Sequence, residues 1–90
     1  MPDPSLDGNA AAGVLAEFFL QEMTTAVTTC AGCGAVGPMG DLRAYLQAPG
    51  LVLRCASCGV AQVRIVRAPE RAWLDLRGMR VLQMEMPPTG

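Results

Sequence analysis

The sequence predicts a small, mainly β fold of the α+β kind, with antiparallel hairpins, one N-terminal helix and four cysteines drawn to one point. Three observations predict it. The chain has only 90 residues, which makes one domain whose modest core needs a disulfide or a metal to support it. Its four cysteines fall as two equally spaced pairs, Cys30-Ala31-Gly32-Cys33 and Cys55-Ala56-Ser57-Cys58, each followed by a glycine. Short, partly alternating apolar runs flank these pairs and are separated by Pro-Gly and Pro-Glu turns, the pattern of strands joined in hairpins.

Residues 1–7, with Pro2, Pro4 and Ser5, read as a loose tail, and residues 8–86 as the single domain. Asp7 stands where a helix N-cap is expected. From Gly8 to about Met23, Ala11, Val14, Leu15, Phe18 and Phe19 recur at offsets of three and four, which gathers them on one helical face. Such a face either packs on its own domain or docks on a partner. Phe18 and Phe19 are half of the chain's aromatic residues, so Leu15, Phe18 and Phe19 are candidate partner contacts. Thr24 to Thr29 reads as a short strand leading into Cys30. Leu42–Gln47 and Leu51–Arg54 form the arms of a hairpin about Ala48-Pro49-Gly50. Val60–Arg67 is the next strand, Ala68-Pro69-Glu70 a turn, and Arg71–Arg77 the return arm. After Gly78, Met79–Met86 continues as a last strand, and residues 87–90, opening with Pro87-Pro88, form a second loose tail.

The twenty-one residues from Gly34 to Arg54 separate the two cysteine pairs, close to the spacing of four-cysteine zinc sites. A two-residue gap lets a tight turn aim both sulfurs at one ion. A loop of this length folds out as a hairpin and brings the second pair back, so that four thiolates complete a tetrahedron at about 2.3 Å per bond. Gly34 and Gly59 supply the backbone conformation such knuckles require. The expectation is therefore a zinc ribbon in which Cys30, Cys33, Cys55 and Cys58 hold one Zn(2+) per chain. Four protein ligands leave no open position for water, which makes the site structural rather than catalytic. Iron is the rival metal, because tetrahedral sulfur suits both. Two redox dithiols would call for a thioredoxin-like α/β context, and two disulfides for an oxidising compartment. Residues 1–9 lack the basic start of a secretory leader, and no run of about 18 apolar residues is present to cross a membrane. The expected compartment is the cytoplasm, with no membrane association.

Catalysis needs a base or nucleophile in place. The chain has no histidine and no lysine, and its carboxylates are scattered. No catalytic residue, no small-molecule substrate and no enzymatic activity are expected. Charge is unevenly divided: residues 1–41 carry a net −5 and residues 42–90 a net +4, all the basic groups being arginine. Arg54, Arg64, Arg67 and Arg71 are thus candidates for nucleic acid, the rival partner to another protein, although strand alternation sets Arg67 opposite Arg64. In Arg71-Ala72-Trp73-Leu74-Asp75-Leu76-Arg77 the leucines face one way and Trp73 the other. Trp73 either caps the small core beside the helix or stands outward as a contact anchor.

Several segments carry a resemblance: LDGNAAAGVLAEFF (6–19), CAGCGAVGP (30–38), APGLVLRC (48–55) and RAWLDLRG (71–78). They resemble a family of short, uncharacterised actinobacterial proteins classed as a domain of unknown function with a zinc-ribbon signature, over about residues 6–82. The resemblance implies zinc at the four cysteines and no activity. Genes of that family near flavin- or molybdenum-dependent oxidoreductase genes would make the protein an accessory to a larger redox enzyme. The doubled C-x-x-C-G also resembles rubredoxins, iron electron carriers, but the acidic surface and clustered aromatics of that family are missing here. The sequence thus points to a non-enzymatic zinc-binding module that meets another protein, with a nucleic-acid-binding ribbon and a rubredoxin-like carrier as alternatives.

Overall fold

In a computed structural model the described residues, 5–47 and 50–86, form two antiparallel sheets and one short helix. The five-stranded sheet has β1 (Leu6–Asp7), β4 (Arg43–Gln47), β5 (Gly50–Arg54), β6 (Ala61–Ala68) and β7 (Arg71–Asp75) in that spatial order. The three-stranded sheet places β2 (Val27–Cys30) between β3 (Val36–Pro38) and β8 (Met79–Gln83). The hairpins expected at 42–54 and 60–77 are present, with Tyr45 opposite Val52 and Val66 opposite Trp73. Ala48 and Pro49, the expected turn of the first hairpin, lie outside the described residues, as do residues 1–4 and 87–90 of the expected tails.

The N-terminal helix is shorter than its periodicity predicts. Asp7 caps the 3-10 turn that leads into it, its carboxylate accepting from the Asn9 backbone N–H at 3.1 Å, while Ala11, at the N-cap of the α-helix itself, makes no side-chain cap bond. The 3-10 turn spans Gly8–Ala11, and α1 (Ala12–Phe19) follows. Leu20 takes a left-handed conformation, φ 59°, which ends the helix before Met23. The chain then reverses through a turn held by Glu22, whose carboxylate accepts from the Thr24 N–H at 2.7 Å and from the Thr24 and Thr25 hydroxyls. Those bonds, the Thr24 hydroxyl first, hold the Glu22 carboxyl below its ordinary pKa. This local closure delays the strand expected from Thr24 until Val27. Leu6 and Asp7, read as the end of a loose tail, instead pair with Ala44 and Arg43. Two further features escaped the sequence reading: β3, and a 3-10 turn at Met39–Asp41.

The core lies between the inner face of the larger sheet and α1. Ala44, Leu51, Leu53, Val63 and Ile65 supply the sheet side, while Leu15, Met23 and Met39 cover it. Leu15 is fully buried, and Phe18 and Phe19 are half-buried against the same cluster. The helical face is therefore committed to the domain's own core, where each large apolar side chain contributes about 1.5–3 kcal/mol of burial. Trp73 does not cap this core: it is 53% exposed. The reason is register. Trp73 lies opposite Val66 on the outer face of β6–β7, while Leu76 reaches the core instead.

Candidate metal centre

Each cysteine pair closes a turn between two strands, and the turns belong to different sheets. Cys30–Gly34 links β2 to β3, and Cys55–Gly59 links β5 to β6. The two are built alike. In the first, the Gly34 N–H donates to Cys30 O at 3.0 Å and the Cys30 N–H to Ala35 O at 2.9 Å. In the second, the Gly59 N–H donates to Cys55 O at 2.9 Å and the Cys55 N–H to Val60 O at 2.8 Å. Gly34 and Gly59 have φ of 78° and 83°, the left-handed region that glycine enters without strain. A register irregularity falls just before each pair, between Thr29 and Cys30 and between Leu53 and Arg54. Bulges of this kind bend a strand and re-aim its side chains.

The two turns face each other. The four sulfurs all lie within 4.8 Å of one another, with Cys30 and Cys58 at 3.6 Å and Cys33 and Cys55 at 3.7 Å. Metal–sulfur bonds of about 2.3 Å in a tetrahedron place sulfurs about 3.8 Å apart, so the cluster fits one ion across both sheets. Gly32 permits the approach: a Cβ there would stand 2.7 Å from Val60 Cγ2 and 3.4 Å from Cys58 Sγ. Cys30 and Cys55 are buried, while Cys33 and Cys58 are exposed.

Backbone donors already favour thiolate. The Cys33 N–H, followed by the Gly32 N–H at 3.3 Å, draws the Cys30 thiol down to about 6. Burial alone would push Cys55 up, but the Cys58 and Ser57 N–H groups outweigh it and hold it low. At Cys58 the Val60 N–H pulls downward, yet desolvation and the three neighbouring sulfurs prevail and raise it to about 11. The metal-free cluster therefore favours thiolate at Cys30 and resists it at Cys58. A cation removes that repulsion, which is why such clusters take metal and release protons.

Two supports were not anticipated. The Ala31 N–H donates to Gly78 O at 2.9 Å, which ties the first turn to the crossover between β7 and β8. Arg54, read as a nucleic-acid candidate, donates from Nη1 to Gly59 O at 2.9 Å and lies over the Tyr45 ring at 5.9 Å. Its place immediately before Cys55 was the available signal. Among the other candidates, Arg64 and Arg71 share the outer sheet face with Trp73, whereas Arg67 turns to the helix side, pairs with Glu17 and lies over Phe18 at 5.1 Å. An open cleft of about 670 Å³ runs beside the first turn, past Arg64, Asp75 and Arg77. Its charges are turned on one another, with Arg77 Nε 3.1 Å from Asp75.

Fold and site together define a small, mainly β metal-binding module. The chain belongs to a family of unknown function (DUF6510), whose model matches residues 2–87. No match was found among curated proteins or among solved structures. Among the described residues, no helix is long and apolar enough to cross a membrane.

Proposed function

We propose that this chain is a non-enzymatic zinc ribbon in which Cys30, Cys33, Cys55 and Cys58 hold one structural Zn(2+), and whose outer sheet face meets another protein. The observation that carries the reading is the gathering of four sulfurs within 4.8 Å of one another, supplied by two matched turns from separate sheets. Four cysteines fill a zinc coordination sphere, so the ion fastens the sheets together. The absence of histidine and lysine from the sequence, and the use of Asp7, Glu17, Glu22 and Asp75 in caps and ion pairs, support a role outside catalysis. Elemental analysis of protein purified without added metal, together with a free-thiol count, tests this. One zinc per chain with no fast-reacting thiol is the expected result. Iron would revive electron transfer, and metal-free protein with two disulfides would refute the site.

A second reading has its own observation. The outer face carries Arg54, Arg64 and Arg71 with Tyr45 and Trp73, and Tyr45 and Arg64 line a hollow of about 260 Å³ beside Gly50. Arginines interleaved with aromatics suit single-stranded nucleic acid. Salt-sensitive retention of a single-stranded oligonucleotide, lost on Trp73→Ala, would favour it over a protein partner; no retention at low salt would remove it.

A further inference from the structure

The described sheets end in four edge strands, and three of them are poor templates for pairing. β1 has two residues, β3 has three and ends in Pro38, both common ways of blunting an edge. β8 has five residues, Met79–Gln83, and its one charged group, Arg80, would meet Leu82 in a self-pairing about Val81. β7 differs. It is hydrogen-bonded on one side only, to β6, and Arg71, Ala72, Trp73 and Leu74 are all exposed. It contains neither proline nor lysine, and among the described residues no register irregularity interrupts its pairing with β6. An exposed apolar edge of this kind recruits another strand.

Its sequence indicates which strand. Arg71-Ala72-Trp73-Leu74-Asp75 is self-complementary when reversed about Trp73. In an antiparallel pairing of two copies, Arg71 of each faces Asp75 of the other, Ala72 faces Leu74, and the two Trp73 side chains meet at the two-fold axis. Opposite charges directly across strands stabilise a pair, and like charges oppose it. Neighbouring registers lack this match. A shift of one residue toward the turn sets Glu70 against Asp75, and centring on Leu74 sets Arg71 against Arg77. We propose that β7 is a self-association edge through which two copies of this chain join their five-stranded sheets into one continuous sheet. The contact is isologous, as two-fold symmetry requires. Val66, 43% exposed beside Trp73, extends the apolar centre. Five residues of edge make a small interface, so the dimer is weak and concentration-dependent rather than obligate. The inference does not depend on which metal fills the cysteine cluster.

Sedimentation velocity on the metal-loaded full chain, from micromolar to millimolar concentration, tests it together with amide hydrogen exchange. The expected result is a monomer–dimer equilibrium in which the amides of residues 71–75 gain protection as concentration rises. Arg71→Glu sets two acidic pairs across the axis and is expected to weaken the dimer about tenfold or more, while Arg71→Lys retains it. Arg71 is exposed at the start of the strand, so unchanged thermal unfolding of dilute Arg71→Glu serves as the control for folding. A monomer throughout the range would overturn the proposal. So would a dimer whose β7 amides exchange equally fast at all concentrations, or one unaffected by Arg71→Glu.

Discussion

Replacing Cys33 with Ser is expected to unfold the domain, with loss of its zinc and of most of its β-sheet circular dichroism; strong chelation of the intact chain is expected to do the same. The Cys30–Cys33 turn is carried by the three-stranded sheet and the Cys55–Cys58 turn by the five-stranded sheet, so an ion bound there would be shared between the two halves of the fold. Binding of structural zinc is worth about 10–16 kcal/mol in small peptides, as much as the entire stability of a typical domain, about 5–15 kcal/mol. Cys33 is exposed, so its loss removes a ligand without opening a cavity, and the effect reads the metal rather than the packing. Acid acts in the same direction. In the metal-free cluster Cys30 is lowered from an ordinary 9.0 to about 6, so the stability linked to that thiolate is complete above about pH 9 and lost as pH drops through about 6, and protons compete with a metal for the same sulfurs. Zinc content and circular dichroism are therefore expected to decline together on acidification. A Cys33→Ser protein with unchanged circular dichroism and unchanged zinc would refute the shared site.

Much of this arrangement is legible in the residues, and what is not has a common cause. Cysteine spacing and the glycine after each pair are local signals, and the matched turns at Cys30–Gly34 and Cys55–Gly59 follow from them. The hairpins at Arg43–Arg54 and Ala61–Asp75 were legible because alternation and turn residues fall together in sequence. β3 was not, because Val36-Gly37-Pro38 sets a single strand former beside a glycine and a proline; it is a strand because the turn after Cys30 places it beside β2. The helix was overextended because periodicity continues past Phe19, while its end is set by the backbone of Leu20 and the acceptor at Glu22. Trp73 shows the same limit. Alternation separates it from Leu74 but does not say which face the core occupies, and that depends on α1 covering the opposite side. The division into two sheets was also invisible, since it rests on β8 returning to β2 across nearly fifty residues.

Gly78→Ala is expected to destabilise the metal-loaded domain by about 3 kcal/mol, at the upper end of what overpacking costs, and to weaken its hold on zinc. The reason is space rather than conformation, because Gly78 is not among the positive-φ glycines. A Cβ there would stand 1.8 Å from Ala61 O, 2.6 Å from Ala61 C and 2.9 Å from Gln62 Cα. All three are backbone atoms of β6, so no side chain can swing aside to make room. Either β6 moves at its irregular first residue or the crossover lifts away. If the crossover lifts, Gly78 O leaves the Ala31 N–H that it accepts at 2.9 Å, and the first cysteine turn loses its tether. Gly37→Ala is the matched control, since a Cβ at Gly37 meets nothing within 4 Å, and its effect is expected to stay within about 0.5 kcal/mol. Urea unfolding of both variants and competition with a coloured chelator read the two effects separately. A Gly78→Ala midpoint equal to that of Gly37→Ala would mean that the crossover is not pressed against β6, whereas a lowered midpoint with weaker zinc retention would place Gly78 among the residues that hold the metal centre in shape.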